Sequence, residues 1–297
     1  MSGQVGESRV SLPAGLDPDV TFGRLARSGD DLLDRWDGRV LTRSARVGEA
    51  VVVFEAEVTG SGLVVWTRHA TALQVALAAA RTMVEPIPGG WGDLLAEDPA
   101  LAAVAAAHPG LHAVRATDPV VALVHSISAQ QVNLAWAATT RRRLAERYGD
   151  EVRAATTTLR VLDLVRLAGA DPEDLRALQL TTAKSRALIA LATAVVTGGL
   201  DVDGLARADD DVVTAELTRL PGIGPWTAQW YLARVLGRPV VVAGDLAVRK
   251  AVGRLYGAPA APSPAETLAL TEHWGECALI AQQLVLYALA AGSLPTT

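Results

Sequence analysis

Apolar positions alternate in the first third of the chain and recur at helical spacing thereafter. Residues 40–47, 50–58 and 63–67 are runs rich in β-branched side chains, separated by Gly48-Glu49 and Gly60-Ser61-Gly62, which predicts an antiparallel meander. Residues 71–84 have helical periodicity and few breakers, so a helix should back the sheet. Ahead of the meander, residues 1–20 are polar and rich in Gly and Pro and read as a flexible start. The α+β segment is therefore placed at residues 21–88, with a Pro/Gly-rich linker around Glu85-Pro86-Ile87-Pro88-Gly89-Gly90.

From residue 89 to 297 the pattern reads as helices. Asp118-Pro119 is a helix start that runs into Ser126-Ile127-Ser128-Ala129-Gln130-Gln131-Val132. Helices are predicted at 135–148, closed by Gly149, at 160–167, from Asp171-Pro172, and from Thr181 to Gly198-Gly199. Asp210 or Asp211 can cap a helix with Val212, Val213, Leu217 and Leu220 roughly on one face. Pro225 suits the first turn of another, since the amide hydrogen it lacks would be unpaired there. The two are joined by Leu220-Pro221-Gly222-Ile223-Gly224, which makes residues 210–237 a helix-hairpin-helix. Its glycines allow backbone angles closed to other residues, Gly224 being assigned positive φ, and its amides beside a helix N-terminus favour a phosphate. Taken alone, such a turn is equally an ordinary tight helix connection. Beyond it an apolar extended run, Val240-Val241-Val242-Ala243-Gly244, ends in Asp245, which can cap a helix over 246–256. Further helices start at Ser263-Pro264 and cover 277–291.

The hairpin and the carboxylate after the apolar run resemble the helix-hairpin-helix DNA glycosylases, in particular the DNA-3-methyladenine glycosylase II group that removes alkylated bases. That family's hairpin reads Leu/Phe-Pro-Gly-Ile-Gly-x-Trp-Thr-Ala. The resemblance is specific over about residues 109–291 and only general over 22–84. It implies an α+β fold: a small N-terminal antiparallel sheet with a helix, then an all-helical glycosylase domain. It also implies that Asp245 is catalytic, that Trp226, Trp230 and Trp274 line the base pocket, and that Gln131 is the wedge filling the gap left by a flipped nucleotide. Gly222, Ile223, Gly224 and Thr227 would hold the DNA backbone, with Lys184 and Arg186 as phosphate neighbours. On the residues alone other roles stay open: Asp245 as an N-cap, each tryptophan as core, and Gln130 and Gln131 as partners for backbone groups at a helix break. Bifunctional relatives carry a Schiff-base lysine where this chain has Trp226, so a monofunctional hydrolase is expected. The family's Trp-x-Pro-Trp-Arg-Ser-x-Ala is here Glu272-His273-Trp274-Gly275-Glu276-Cys277-Ala278, without the arginine.

Composition narrows the chemistry. The single Cys277 excludes an internal disulfide and any four-cysteine zinc or iron–sulfur site. His69, His108, His112, His125 and His273 have no metal-ligand spacing, so no metal or cofactor is expected. The formal charge of −5 is unusual for a DNA-binding chain, but residues 121–260 carry +3 and the remainder −8. The densest basic cluster, Arg141-Arg142-Arg143 with Arg147, is either a solvated helix face or a phosphate contact. There is no charged-then-apolar signal segment, and the apolar stretches 187–196 and 284–291 are too short for a bilayer. The expectation is a cytoplasmic, membrane-free monomer whose partner is double-stranded DNA with damaged bases. The competing class is a helix-hairpin-helix DNA-binding module without catalysis, and a concave pocket holding Asp245 and a tryptophan would separate the two.

Overall fold

The computed structural model describes residues 6–26, 29–60, 62–258 and 260–294. Strands β1 (Gly6–Val10), β2 (Arg35–Trp36), β3 (Val40–Val47), β4 (Ala50–Thr59) and β5 (Gly62–Thr67) form one antiparallel sheet in the order β1-β5-β4-β3-β2. Helix α1 (Pro18–Ala26) lies between β1 and β2 in sequence. The β3–β4 hairpin pairs Val47 with Ala50 across Gly48-Glu49, and Gly48 takes φ 57°, the left-handed angle a two-residue turn needs. Helix α2 (Leu73–Thr82) buries Ala76, Leu77 and Ala80 with Leu41, Phe54, Ala56, Leu63 and Val65 of the sheet. The meander and its backing helix are thus as the alternation predicts.

The start of the chain corrects the sequence reading. Residues 1–5 lie outside the described residues, but 6–10 are a strand paired with β5 from Gly6↔Thr67 to Val10↔Leu63, not a flexible start. Gly-Glu-Ser-Arg-Val has no apolar alternation because an edge strand gains most of its stability from the ladder.

The rest is helical apart from one hairpin. It comprises α3 (Trp91–Glu97), α4 (Pro99–Ala107), α5 (Pro119–Ala129), α6 (Leu134–Tyr148), β6 (Gly149–Arg153), β7 (Thr158–Leu162), α7 (Leu164–Ala168), α8 (Pro172–Ala177) and α9 (Thr182–Val196). There follow α10 (Val202–Leu205), α11 (Asp210–Thr218), α12 (Pro225–Arg234), α13 (Leu246–Leu255), α14 (Pro264–Thr271) and α15 (Ala278–Ala291). The helix predicted at 160–167 is therefore wrong in its first half: β7 occupies 158–162, and the helix starts at Leu164 behind the Asp163 cap. A tertiary contact explains this. The fully buried Glu55 carboxylate of β4 accepts the amides and hydroxyls of both Thr156 and Thr157 at the β6–β7 turn. That bond set fixes a hairpin whose strands have little local signal. Residues 264–291 are apolar enough to cross a membrane by length and composition, but most of that stretch is buried and Gly275 breaks it at φ 46°, ψ −128°.

Helix α12 lies between two hydrophobic cores. Ala228, Tyr231 and Leu232 join α5, α6, α7, α9 and α11, while Trp230 and Ala233 join α4, α13 and α15. The sheet reaches this region through Asp118, the N-cap of α5, which accepts Val120 N, Ser44 Oγ and Arg46 Nε. Buried Asp31 adds a second tie. Its Oδ2 is 2.6 Å from Arg141 Nε and 3.0 Å from His125 Nε2. Burial opposes the Asp31 charge, but His125 and Arg141 outweigh it and hold the carboxyl well below the usual carboxylate range. Its contribution is therefore complete above about pH 4, the unfolded value, and is lost as pH falls toward the folded one. Asp31→Asn leaves Arg141 buried without its anion and is expected to cost about 3 kcal/mol at about pH 7. In urea titrations the gap from wild type should begin to close below about pH 4; a gap unchanged at about pH 3 would contradict the linkage.

Candidate active site

The hairpin connects α11 to α12, and its two glycines do different things. Gly222 has φ 78°, and a β-carbon there would sit 2.6 Å from Ala187 Cβ of α9. Gly224 has φ −106°, ψ −178°, extended backbone open to any residue, and nothing lies within 4 Å of its β-carbon position. The positive φ assigned to Gly224 thus belongs to Gly222. Asp209, rather than Asp210 or Asp211, occupies the cap position of α11, and it makes no side-chain cap bond. Ile223 is buried and anchors the turn in the core, and Thr227 is also buried, so neither side chain faces outward. Pro225 opens α12 as predicted, and the turn leads straight into the positive end of that helix.

The break after α5 is tied to this turn. Gln130 Nε2 donates to Gly222 O at 2.9 Å, so the reading of Gln130 as a backbone partner holds. Gln131 beside it is exposed and takes φ 56°, a strained angle for a side chain with a β-carbon. Lys184 is buried with Nζ 2.8 Å from Ser128 O, holding the end of α5, and burial pushes its ammonium pKa down. It cannot be a surface phosphate neighbour. Arg186, two residues on, is exposed.

Asp245 caps α13 as expected. Its Oδ1 accepts Ala247 N at 2.8 Å and Val248 N at 3.2 Å. Its Oδ2 accepts two indoles, Trp226 Nε1 at 2.9 Å and Trp230 Nε1 at 3.1 Å. The apolar run before it is not a strand: Asp245 N bonds Val242 O, Ala243 N bonds Val241 O, and Val242 N bonds Gln282 Oε1 of α15 at 2.7 Å. Val241, Val242 and Ala243 are buried because they pass through the core as a turn. Gly244 and Leu246 flank the half-buried Asp245 and are exposed, so this side of the carboxylate faces solvent.

The three tryptophans part company here. Trp226 is half-buried, while Trp230 is buried with the Arg234 guanidinium 3.7 Å from its ring centroid. Trp274 is 1% exposed, and its Nε1 donates to Tyr256 Oη, which donates to Asp98 Oδ2 at 2.6 Å. It is packed as core rather than as an open wall. Burial, then the Asp98 bond, raises the Tyr256 pKa. A cleft of about 390 Å³ between α3, α4 and α15 is lined by Trp91, Leu95, His108 and Ile280, and by none of the residues around Asp245. Sequence reasoning missed Arg234 and Gln282. Only the i, i+4 spacing of Trp230 and Arg234 on α12 could have pointed to the first.

The HhH-GPD superfamily base excision DNA repair protein family matches residues 124–277. This chain belongs to that superfamily. The matched stretch contains the helix break, the hairpin, Asp245 and Trp274. A DNA-3-methyladenine glycosylase of Bacillus subtilis is 24% identical over 279 residues, 90% of this chain and 92% of that one. DNA-3-methyladenine glycosylase 2 of Escherichia coli is 34% identical over 135 residues, 46% of this chain and 47% of that one. Among solved structures, a 3-methyladenine DNA-glycosylase from Archaeoglobus fulgidus superposes with a TM-score of 0.83 at 20% identity, over 97% of this chain and 100% of that one. A Clostridium acetobutylicum 8-oxoguanine glycosylase/lyase in complex with DNA gives 0.73 at 17% identity, over 99% and 100%. At these identities the two structures establish the fold: an N-terminal five-stranded sheet followed by the superfamily's helical domain.

The hairpin geometry separates its glycines by stability. Gly222→Ala is expected to cost about 2 to 3 kcal/mol, from positive φ and the Ala187 contact, while Gly224→Ala costs less than about 1 kcal/mol. Thermal unfolding followed by circular dichroism checks this. Equal shifts in Tm for the two would remove the distinction.

Proposed function

We propose that the chain is a monofunctional DNA glycosylase that flips an alkylated base out of duplex DNA and hydrolyses its N-glycosidic bond, leaving an abasic site. The observation that carries this reading is the convergence of four N–H donors on Asp245 beside the hairpin. The 390 Å³ cleft does not reach Asp245, so the choice of catalysis over a DNA-binding module rests on this solvent-facing carboxylate and on the relatives. The Bacillus subtilis and Escherichia coli relatives, both DNA-3-methyladenine glycosylases by name, support the substrate class.

Cleavage builds positive charge on the sugar as the base departs, and a fixed carboxylate stabilises that charge without reorganising. Each Asp245 oxygen already accepts two N–H donors, so its lone pairs are largely occupied. Its work is therefore electrostatic: it stabilises the charge on the sugar more than it deprotonates a water. The exposed part of Trp226 is the stacking surface for an electron-poor base, since Trp230 and Trp274 are buried. Unstacking costs a few kcal/mol, which favours lesions already weakly paired. Gln131 is the wedge that enters the duplex in this reading, and its exposed, strained backbone suits that task. The turn at Gly222 to Gly224 and the N-terminus of α12 would take a phosphate, with Arg186 nearby in sequence to the Ala187 that packs under Gly222.

The lysines support hydrolysis rather than strand cleavage. Lys184 and Lys250 are the only two in the sequence, and Lys184 is spent on Ser128 O inside the fold. Trp226 stands at the hairpin position and cannot form a Schiff base.

Asp245→Asn is expected to lower single-turnover base release from methylated duplex DNA by roughly a thousandfold, the scale of a lost charge-stabilising group. Duplex affinity should stay within about threefold, because hairpin and wedge are untouched. Activity within about tenfold of wild type would reject the assignment. Borohydride added to protein on abasic DNA should trap no covalent adduct. An adduct that disappeared in Lys250→Ala would replace hydrolysis with Schiff-base chemistry.

A further inference from the structure

Arg234 is a half-buried cation that neither the fold nor the reaction described above uses. It ends α12, one turn beyond Trp230, and its guanidinium carbon rests 3.7 Å from the centroid of that ring. Its Nε is covered and has no hydrogen-bond partner. Covering part of a guanidinium on a ring, with no ion pair to it among the described residues, has a desolvation cost that a hydrophobic side chain would avoid. Burial pushes the Arg234 pKa down to about 10, and the charge of Asp245 pulls it back up, so the group is a cation at neutral pH and feels that carboxylate.

The three residues form one stack of charge. Arg234 sits on the Trp230 face, and the Trp230 N–H points to Asp245 Oδ2 at 3.1 Å. A cation over an indole draws density from the ring and makes its N–H a stronger donor to an anion. We propose that Arg234 is a positioning residue for base excision, acting through Trp230 to hold Asp245 aimed at the sugar. The proposal rests on the hydrolytic reading of Asp245. It also assigns Trp230 a role other than base stacking: the guanidinium covers one of its faces, so a cationic alkylated base meets Trp226 instead. The cation missing from the Glu272 to Ala278 segment is no guide to this site, because Arg234 reaches it from a different helix.

The test uses the full chain, ¹⁵N-labelled, with dimethyl-sulfate-treated duplex as the probe substrate. The Trp230 indole N–H resonance is identified by its loss in Trp230→Phe. Arg234→Gln should move that resonance upfield while the Trp226 resonance stays nearly in place. The same variant should release methylated bases about tenfold more slowly in single turnover, the scale of one desolvated cation–π contact, with duplex Kd within about twofold. Arg234→Lys keeps the charge but loses the planar group that stacks on the indole, so its release rate should fall between those of wild type and Arg234→Gln. Trp230→Phe keeps the ring and the cation but removes the N–H, and should slow release by about the same factor as Arg234→Gln. Combining the two should slow it less than about twofold further, since both break one chain of contacts.

A folded Arg234→Gln with an unmoved indole resonance and wild-type release would overturn the proposal. Fully additive losses would do so as well, because they mean Arg234 acts independently of Trp230. Should Arg234→Gln fail to fold, Trp230→Phe decides: slowed release supports the relay, and wild-type release defeats it. Were wild type to release no base at all, the hydrolytic reading would fail, and the relay would stand or fall on the indole resonance alone.

Discussion

Everything at the site depends on where one carboxylate is held. Asp245 takes two backbone amides from the first turn of α13 and two indole N–H groups from α12. Those donors come from different helices, so the carboxylate is in place only when α12 and α13 are docked at a fixed angle. Capping alone would orient it toward its own helix; the indoles turn its second oxygen toward the hairpin. This is how a residue type common at helix starts becomes the electrostatic centre of a site.

That docking is set by the position of α12 between two cores. Its residues are shared so that Ala228, Tyr231 and Leu232 face one cluster and Trp230 and Ala233 the other. Gln282 reaches from α15 to hold Val242 N, which fixes the turn that delivers Asp245. On the opposite side, Gln130 bonds Gly222 O and Lys184 bonds Ser128 O, so the break carrying Gln131 is tied to the hairpin and to α9. Gln131, the turn and the carboxylate are therefore parts of one hydrogen-bonded arrangement. The sheet contributes by holding the start of α5 through Asp118 and by fixing the β6–β7 hairpin through Glu55. An acidic chain can build such a site because the donors it needs are backbone amides and indoles rather than lysines.

Local pattern carried the regular elements. The meander, the helix behind it, the Asp-Pro and Ser-Pro helix starts, the hairpin and the capping role of Asp245 all follow from periodicity and cap chemistry, which act over a few residues. What failed has the opposite character. β1 forms from a polar segment because β5 offers it a ladder 53 to 61 residues away in sequence. The β6–β7 hairpin forms because its turn threonines satisfy a carboxylate about 100 residues earlier. Gly222, not Gly224, takes the positive φ, and Ala187 packs where its β-carbon would be, a contact that no turn motif records.

The sequence by itself determined the superfamily, the meander and most of the helices, and the presence of Trp226, Trp230 and Asp245 at the site, since these rest on residue type and spacing. The tertiary structure alone decided what each of them touches. It placed Lys184 and Trp274 inside, left Trp226 half open and Gln131 exposed, and brought Arg234 and Gln282 to bear on a carboxylate that neither neighbours in sequence. The reason is physical: a side chain's preference for helix, cap or turn is local. Burial, hydrogen-bond partners and the field at a charge are sums over neighbours that only folding brings together.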